Sequence, residues 1–311
     1  MKAEILNSKS KNYCSNGKLL ITGEYVVLDG AISLAVPTKF GQSLDIKPIA
    51  EKKLVWKSLD EEGRVWFEDT FELSHDAMLK QVQHDATSKR LIQILNAVKQ
   101  LNPDFLKSDT RFKVTTKLDF PKDWGLGTSS TLINNIAQWA NIDAFKLLEM
   151  TFGGSGYDIA CAQNNTPITY QLAQSKPLIN PIDFNPPFKA QLYFVYLNKK
   201  QNSRDGIVHY KAHKGNIAYA ISEINDITSK IISCKNLEDF ETLLTSHENI
   251  ISKITKQTPV KTLLFNDFDG CIKSLGAWGG DFILATSKSN PTAYFKNKGL
   301  DTVIPYEDMV L

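Results

Sequence analysis

Apolar positions in this chain follow two rhythms, one of period two and one of three to four. Residues 19–22, 25–28 and 43–47 are strand-like, and Gly23, Asp29-Gly30 and Gly41 punctuate them as turn signals. Between residues 51 and 72, apolar and charged residues alternate around Asp60-Glu61-Glu62-Gly63, the pattern of a hairpin. Residues 75–101 read as a helical region, because Leu91, Ile92, Leu95, Val98 and Leu101 share one face. Residues 112–118 alternate again as a strand. A glycine-rich turn follows, and a helical pattern runs from about Ser129 to Trp139.

Glycines at 153, 154 and 156 break the chain before a short helical start over 157–162. Residues 169–172 and 190–197 read as strands, and 216–233 and 237–254 carry apolar residues at helical spacing. Residues 274–280 form a glycine-rich turn into a strand over 282–285. The proline-bearing segment 177–187 marks the best domain boundary, which divides the chain into 1–180 and 181–311. Strands come in pairs and a strict strand–helix alternation is absent. The pattern therefore predicts a mixed α+β fold, not a doubly wound parallel sheet.

Composition narrows the function. With 42% hydrophobic and 23% charged residues, a chain of 311 can bury a real core in one large or two ordinary domains. Thirty-six basic residues against 34 acidic ones give a net charge of +2. That balance argues against a nucleic-acid or anionic-membrane partner. The cysteines at 14, 161, 234 and 271 form no CxxC pair, so a zinc site or disulfide framework is not expected. The first 18 residues carry no apolar signal core, and no apolar run approaches the roughly 20 residues needed to span a bilayer. These features lead to an expectation of a cytoplasmic protein and leave its oligomeric state, monomer or homodimer, open.

Four segments carry possible chemistry. In Pro121-Lys-Asp-Trp-Gly-Leu-Gly-Thr-Ser-Ser-Thr131, Gly125 and Gly127 permit a tight turn before Thr128, Ser129 and Ser130 open a helix. A helix start offers unpaired N–H groups and positive dipole to phosphate oxygens, and hydroxyls can reach Mg²⁺. The same residues also suit a plain N-capped helix. The loop matches neither GxxxxGK[ST] nor GxGxxG. Lys18, ahead of Gly23-Glu24-Tyr25, supplies a cation and a carboxylate, although a lysine at such a place is often only a surface residue. Asp158, after Gly153-Gly154-Ser155-Gly156, fits either a general base or a first-turn helix acid. Ser274-Leu-Gly-Ala-Trp-Gly-Gly-Asp281 either approaches an anion with its backbone or simply turns.

Taken together and in this order, these segments resemble the GHMP kinases. Gly17-Lys18 with Gly23-Glu24-Tyr25 is similar to that family's first motif, residues 121–130 to its phosphate loop, and residues 276–281 to its third motif. Within the phosphomevalonate and mevalonate kinase branch, Gly23-Glu24-Tyr25, Gly154-Ser-Gly-Tyr-Asp158 and Gly279-Gly280-Asp281 look most like the phosphomevalonate kinases, since mevalonate kinases usually have Gly-Glu-His at the first of these. Lys199-Lys-Gln-Asn-Ser203 resembles a further segment of phosphomevalonate kinases, and Gly156-Tyr-Asp-Ile-Ala160 resembles a set of bacterial GHMP proteins. The sequence departs from the pattern with Asn16 before Gly17-Lys18, Thr128 in the loop, and bulky Trp278 where glycine is usual. That indole is expected to narrow the anion pocket.

The resemblance implies a two-lobed fold, with an N-terminal lobe like ribosomal protein S5 and a ferredoxin-like C-terminal lobe. It implies an ATP- and Mg²⁺-dependent kinase of the mevalonate pathway. Gly125, Leu126, Gly127, Thr128, Ser129 and Ser130 would hold the triphosphate, and Ser130 with Glu149, the nearest acid, would hold the metal. Asp158 would take the acceptor's proton and Lys18 would steady the developing charge. Glu24, Tyr25, Ser155, Gly156, Lys200, Ser203, Gly276, Ala277 and Gly279 would lie on the substrate side. Two rivals share the resemblance: an ATP-dependent decarboxylase of diphosphomevalonate type, and a non-catalytic binding protein on the same fold.

Overall fold

The computed structural model describes residues 10–71, 85–107 and 111–311. In chain order the first elements are β1 (Lys11–Leu20), β2 (Ser33–Pro48), β3 (Leu54–Leu59), β4 (Val65–Phe71), α1 (Ala86–Leu101) and β5 (Phe112–Leu118). Next come α2 (Thr128–Ala140), α3 (Ala144–Thr151), α4 (Tyr157–Gln163), β6 (Ile168–Ala173), β7 (Lys176–Pro181) and β8 (Leu192–Tyr196). The chain continues through α5 (Ser203–His213), α6 (Ala218–Ser233), α7 (Leu237–Thr255), α8 (Val260–Leu264) and β9 (Ile272–Ser274). It ends with β10 (Phe282–Thr286), α9 (Thr292–Asn297), β11 (Val303–Pro305) and α10 (Tyr306–Met309). Glu72, the last residue of the expected hairpin, and residues 75–84, the first part of the expected helical region, lie outside the described residues.

These elements cluster into two compact units with interleaved chain segments. The first takes its described residues from Met1–Gly17, Phe40–Lys122 and Gly127–Gln163, the second from Lys18–Lys39, Asp123–Leu126 and Asn164–Leu311.

In the first unit β3 pairs antiparallel with β4 and parallel with β5, and β5 pairs antiparallel with β2 from Gln42↔Leu118 to Pro48↔Phe112. The expected hairpin is therefore present, turning at Asp60–Gly63, where the Asp60 Oδ1 accepts the Glu62 and Arg64 amides at 3.1 and 2.8 Å. Leu44, Ile46, Trp56 and Val114 from this sheet meet Leu95 and Val98 of α1, Ile133 and Ile136 of α2 and Leu147 of α3 in one core. Each such buried side chain is worth about 1.5–3 kcal/mol of transfer free energy. Asp85 caps α1 by accepting the Ser88 amide at 2.7 Å, and Asp143 caps α3 from the Phe145 amide at 2.8 Å.

In the second unit β8 pairs antiparallel with β10 and β11, and β10 with β9, giving the order β11-β8-β10-β9. Every residue of β8 and β10 is buried, which explains their unbroken apolar runs. The first residues of β2 pair with β6, and β6 pairs with β7. One expected strand is absent. Residues 25–28 contribute instead to a 3-10 turn over Val26–Asp29, entered at Tyr25 with φ 62° and left at Gly30 with φ 91°. Two left-handed residues this close together reverse the chain and leave no room for an extended segment. The apolar run looks like a strand because the turn is buried, with Tyr25, Val26 and Ala31 packed against Tyr210, Ile251 and Trp278.

Candidate functional site

Lys18 lies near the end of β1. Its amide donates to the Leu126 carbonyl at 3.0 Å and its Nζ to the Gly125 carbonyl at 2.7 Å. Backbone and side chain together thus clamp the lysine onto the start of the glycine loop. Gly125 has φ +70°, and a Cβ there would stand 2.4 Å from the carboxyl carbon of Asp281. Both facts require glycine. Asp281 itself has φ 53°, accepts the Gln201 amide at 3.0 Å on Oδ1, and donates its own amide to the Lys199 carbonyl at 2.7 Å. Burial pushes its carboxyl upward, against the pull of the Gln201 amide, Lys18 and Lys200. Asp281 is a residue that sequence reasoning did not place in the site. Its position last in the third glycine segment was the available signal.

At the other end of the loop, Gly127 occupies the N-cap of α2 at φ 101°, with no side-chain cap. Thr128, Ser129 and Ser130 all fall inside the helix and the N-cap position is a glycine, which has no side-chain oxygen to accept a first-turn amide. Ser130 is buried and donates its hydroxyl to the Gly127 carbonyl at 2.9 Å, while Thr128 is half-buried and Ser129 exposed. A 13-residue helix thus begins at a left-handed glycine, with no side-chain cap from its N-cap residue to its first N–H groups. A buried polar network holds it: Ser15 Oγ to Asn135 Oδ1 at 2.7 Å, Asn134 Nδ2 to Ser15 Oγ at 2.9 Å, and Asn135 Nδ2 to the Gln42 carbonyl at 2.8 Å.

Asp158 stands in the first turn of α4, half-buried, and its Oδ1 accepts the Ile159 amide at 3.1 Å. Behind it Ile159, Ala160, Cys161 and Ala162 are buried, and Gln163 Nε2 donates to Asn134 Oδ1 on α2 at 2.9 Å. The carboxylate therefore rides on a helix locked to the one that the glycine loop opens. Ser155 is half-buried and Gly156 buried just before it. Glu149 is exposed on α3. Among the described residues, no group of three His, Cys, Asp or Glu side chains could hold a metal.

The remaining candidates belong to the second unit. Lys200, Ser203 and Gly279 are exposed, Gly276 is half-buried and Ala277 buried. Tyr25 stacks on Tyr210 with ring centroids 5.5 Å apart, and its hydroxyl accepts the Trp278 amide at 3.1 Å. The Trp278 indole is only 3% exposed and sits in the core beside Tyr25, Val26 and Tyr210. The expectation that it narrows an anion pocket is thereby corrected: an apolar ring gains more by burial than by lining a phosphate site.

Glu24 is fully buried and ion-paired with Lys273, which is equally buried. Glu248 stands 3.9 Å from the same ammonium and accepts the Ser274 hydroxyl at 2.8 Å. His247 Nε2 accepts the Gly23 amide at 2.8 Å and lies 3.3 Å from Glu24 Oε2. Burial pushes the Glu24 carboxyl up to about 7, although Lys273 pulls the other way. Burial holds the His247 imidazole well below its ordinary range, and Lys273 adds to this.

The two groups act on stability with opposite signs. Glu24, raised in the folded state, costs stability as pH climbs from about 4.5 to about 7. His247, depressed in the folded state, costs stability as pH falls below 6.5. Comparing wild type with Glu24→Gln cancels the histidine. From pH 5 to 8 the variant is expected to gain on wild type by about 2.5 kcal/mol, at about 1.4 kcal/mol per pKa unit. Urea unfolding at several pH values measures the gain, and a gap that does not change with pH refutes the assignment.

The fold and these loops define a chain with the fold of the GHMP kinases. No family model matches it, and no curated protein sequence does. Among solved structures, the mevalonate kinase of Methanococcus jannaschii superposes with TM-score 0.69 at 16% identity, covering 96% of this chain and 98% of that one. The galactokinase of Lactococcus lactis, complexed with galactose, gives 0.70 at 14% identity, covering 95% and 90%. The phosphomevalonate kinase of Streptococcus pneumoniae, with phosphomevalonate and AMPPNP, gives 0.67 at 15% identity, covering 93% and 95%.

Proposed function

We propose that the chain is an ATP-dependent small-molecule kinase, transferring the γ-phosphoryl group to a mevalonate-pathway metabolite, phosphomevalonate ahead of mevalonate. The observation that carries the reading is the uncapped, glycine-led start of α2, directly after a Gly125 held by Lys18. Uncapped N–H groups and the helix dipole bind phosphate oxygens, and a lysine beside them neutralises developing charge. The kinase structures with the same fold support it, the phosphomevalonate complex among them.

In this reading residues 125–130 cradle the triphosphate, Lys18 steadies the charge and Asp158 accepts the acceptor's proton. Exposed Lys200, with Lys199, Arg204 and Ser203, serves an anionic acceptor. The donor set fits a Mg²⁺ that arrives with the nucleotide, because this ion takes few protein ligands and several phosphate oxygens. Ser130 has given its hydrogen to Gly127, so its oxygen keeps lone pairs for a cation. When bound, the ion neutralises charge on the phosphates.

Calorimetry with Mg·ATP tests the reading. Binding by wild type is expected, with loss in Gly127→Val at an unchanged far-ultraviolet spectrum. A panel of phosphomevalonate, mevalonate, homoserine and common sugars, read by ADP release, then finds the acceptor. Turnover of mevalonate without phosphomevalonate would reverse the preference between these two acceptors. Release of carbon dioxide would point to the decarboxylase, and absence of nucleotide binding would sink both enzyme readings.

A further inference from the structure

The polar cluster around Glu24 is fully buried, and its hydrogen bonds do not close. Glu24 Oε2 and His247 Nδ1 are buried without a partner among the described residues. His247 Nε2 spends its lone pair on the Gly23 amide, so it offers no hydrogen to Glu24 Oε2, 3.3 Å away. Two carboxyls, Glu24 and Glu248, share the single ammonium of Lys273. With both ionised, the cluster holds one uncompensated negative charge, the arrangement a low-dielectric interior tolerates least. A proton on Glu24 relieves the excess charge.

The cluster is wired to the loops. Lys273 and Ser274 form the end of β9, which runs straight into the 276–280 turn, and Lys273 Nζ donates to the Ser274 carbonyl at 2.8 Å. Tyr25, next to Glu24, holds the middle of that turn through the Trp278 amide. At its end Asp281 rests on Gly125, the residue that Lys18 grips. A displacement of Lys273 therefore has a packed route to the phosphate loop.

We propose that Glu24 is a positioning residue for nucleotide binding, acting through Lys273 on the 276–280 turn and through Asp281 on Gly125, and that the proton held in this cluster sets how tightly the loop grips phosphate. The inference rests on the nucleotide-binding reading above. The titratable groups that face Glu24 are Lys273 from β9, His247 and Glu248 from α7, and Tyr25 beside it. Glu241 and Lys261 act on the adjoining Cys271, and Asp281 on Tyr25. Ionising Glu24 adds the second negative charge and draws Lys273 toward it, so the loop should loosen as pH rises.

The test is calorimetry with Mg·ADP on full-length wild type and Glu24→Gln between pH 6 and 8.5. Taking the ratio of the two dissociation constants at each pH removes the nucleotide's own titration. Wild type is expected to lose roughly fivefold or more relative to the variant across this range, within the usual span of coupled sites. A ratio independent of pH, with both proteins folded and binding, overturns the inference and leaves the nucleotide reading intact. No binding by wild type at any pH overturns both. If Glu24→Gln does not fold, Glu248→Gln removes the other carboxyl while keeping an acceptor for Ser274, and the same relative loss is expected.

Discussion

Asp158→Asn is expected to lower turnover by roughly 10²–10⁴-fold, the range of a general base, with little change in ATP affinity or melting temperature. The variant keeps shape and keeps the oxygen that accepts the Ile159 amide at 3.1 Å, so the local helix start should survive. What it loses is basicity. Rigid placement is what general-base work demands, and α4 supplies it through its buried face and through Gln163 on Asn134. If Asp158 serves only the helix dipole, the pattern inverts: chemistry stays near wild type and stability shifts by less than roughly 1 kcal/mol. Steady-state rates with the acceptor found in the panel, beside a thermal melt, separate the two.

Lys273→Met should produce the largest loss of stability. Methionine fills similar volume but leaves Glu24 and Glu248 buried with no cation. Breaking one partner of a buried pair costs roughly 3–5 kcal/mol. The loss should be greater at pH 8 than at pH 5, because protonation spares the cluster its charge, and Glu24 is already pushed up to about 7. The double variant Lys273→Met with Glu24→Gln should recover much of it at pH 8. Urea midpoints of the three proteins decide the matter. Equal losses in single and double variants would show that packing, not charge, governs this position.

The β5 strand over Phe112–Leu118 and the helices α2, α6 and α7 were legible because each is a long run of one period. The 3-10 turn at Tyr25 was not, since four apolar residues in a row, three of them buried, look alike whether extended or coiled. The short β9 and β11 carry too few residues for any period to show. The glycine segments were legible as loops. Which neighbour makes a glycine obligatory was not: Gly125 answers to Asp281, which lies far along the chain and reaches it only in the folded structure.

From the residues alone the sequence determined a mixed α+β class, because the periods of strands and helices are local facts. The two-lobed fold came from the resemblance that the ordered glycine, lysine and acid motifs carry, and the solved kinases of the same fold agree with it. Only the tertiary structure decided where Glu24 and Trp278 sit and what they touch. From sequence, one looked like a substrate contact and the other like an obstruction in the anion pocket. Folded, Glu24 is paired with Lys273 and Trp278 packs beside Tyr25 and Tyr210. A side chain's surroundings come from segments brought together by packing, and such meetings leave no trace in the spacing of residues along one chain.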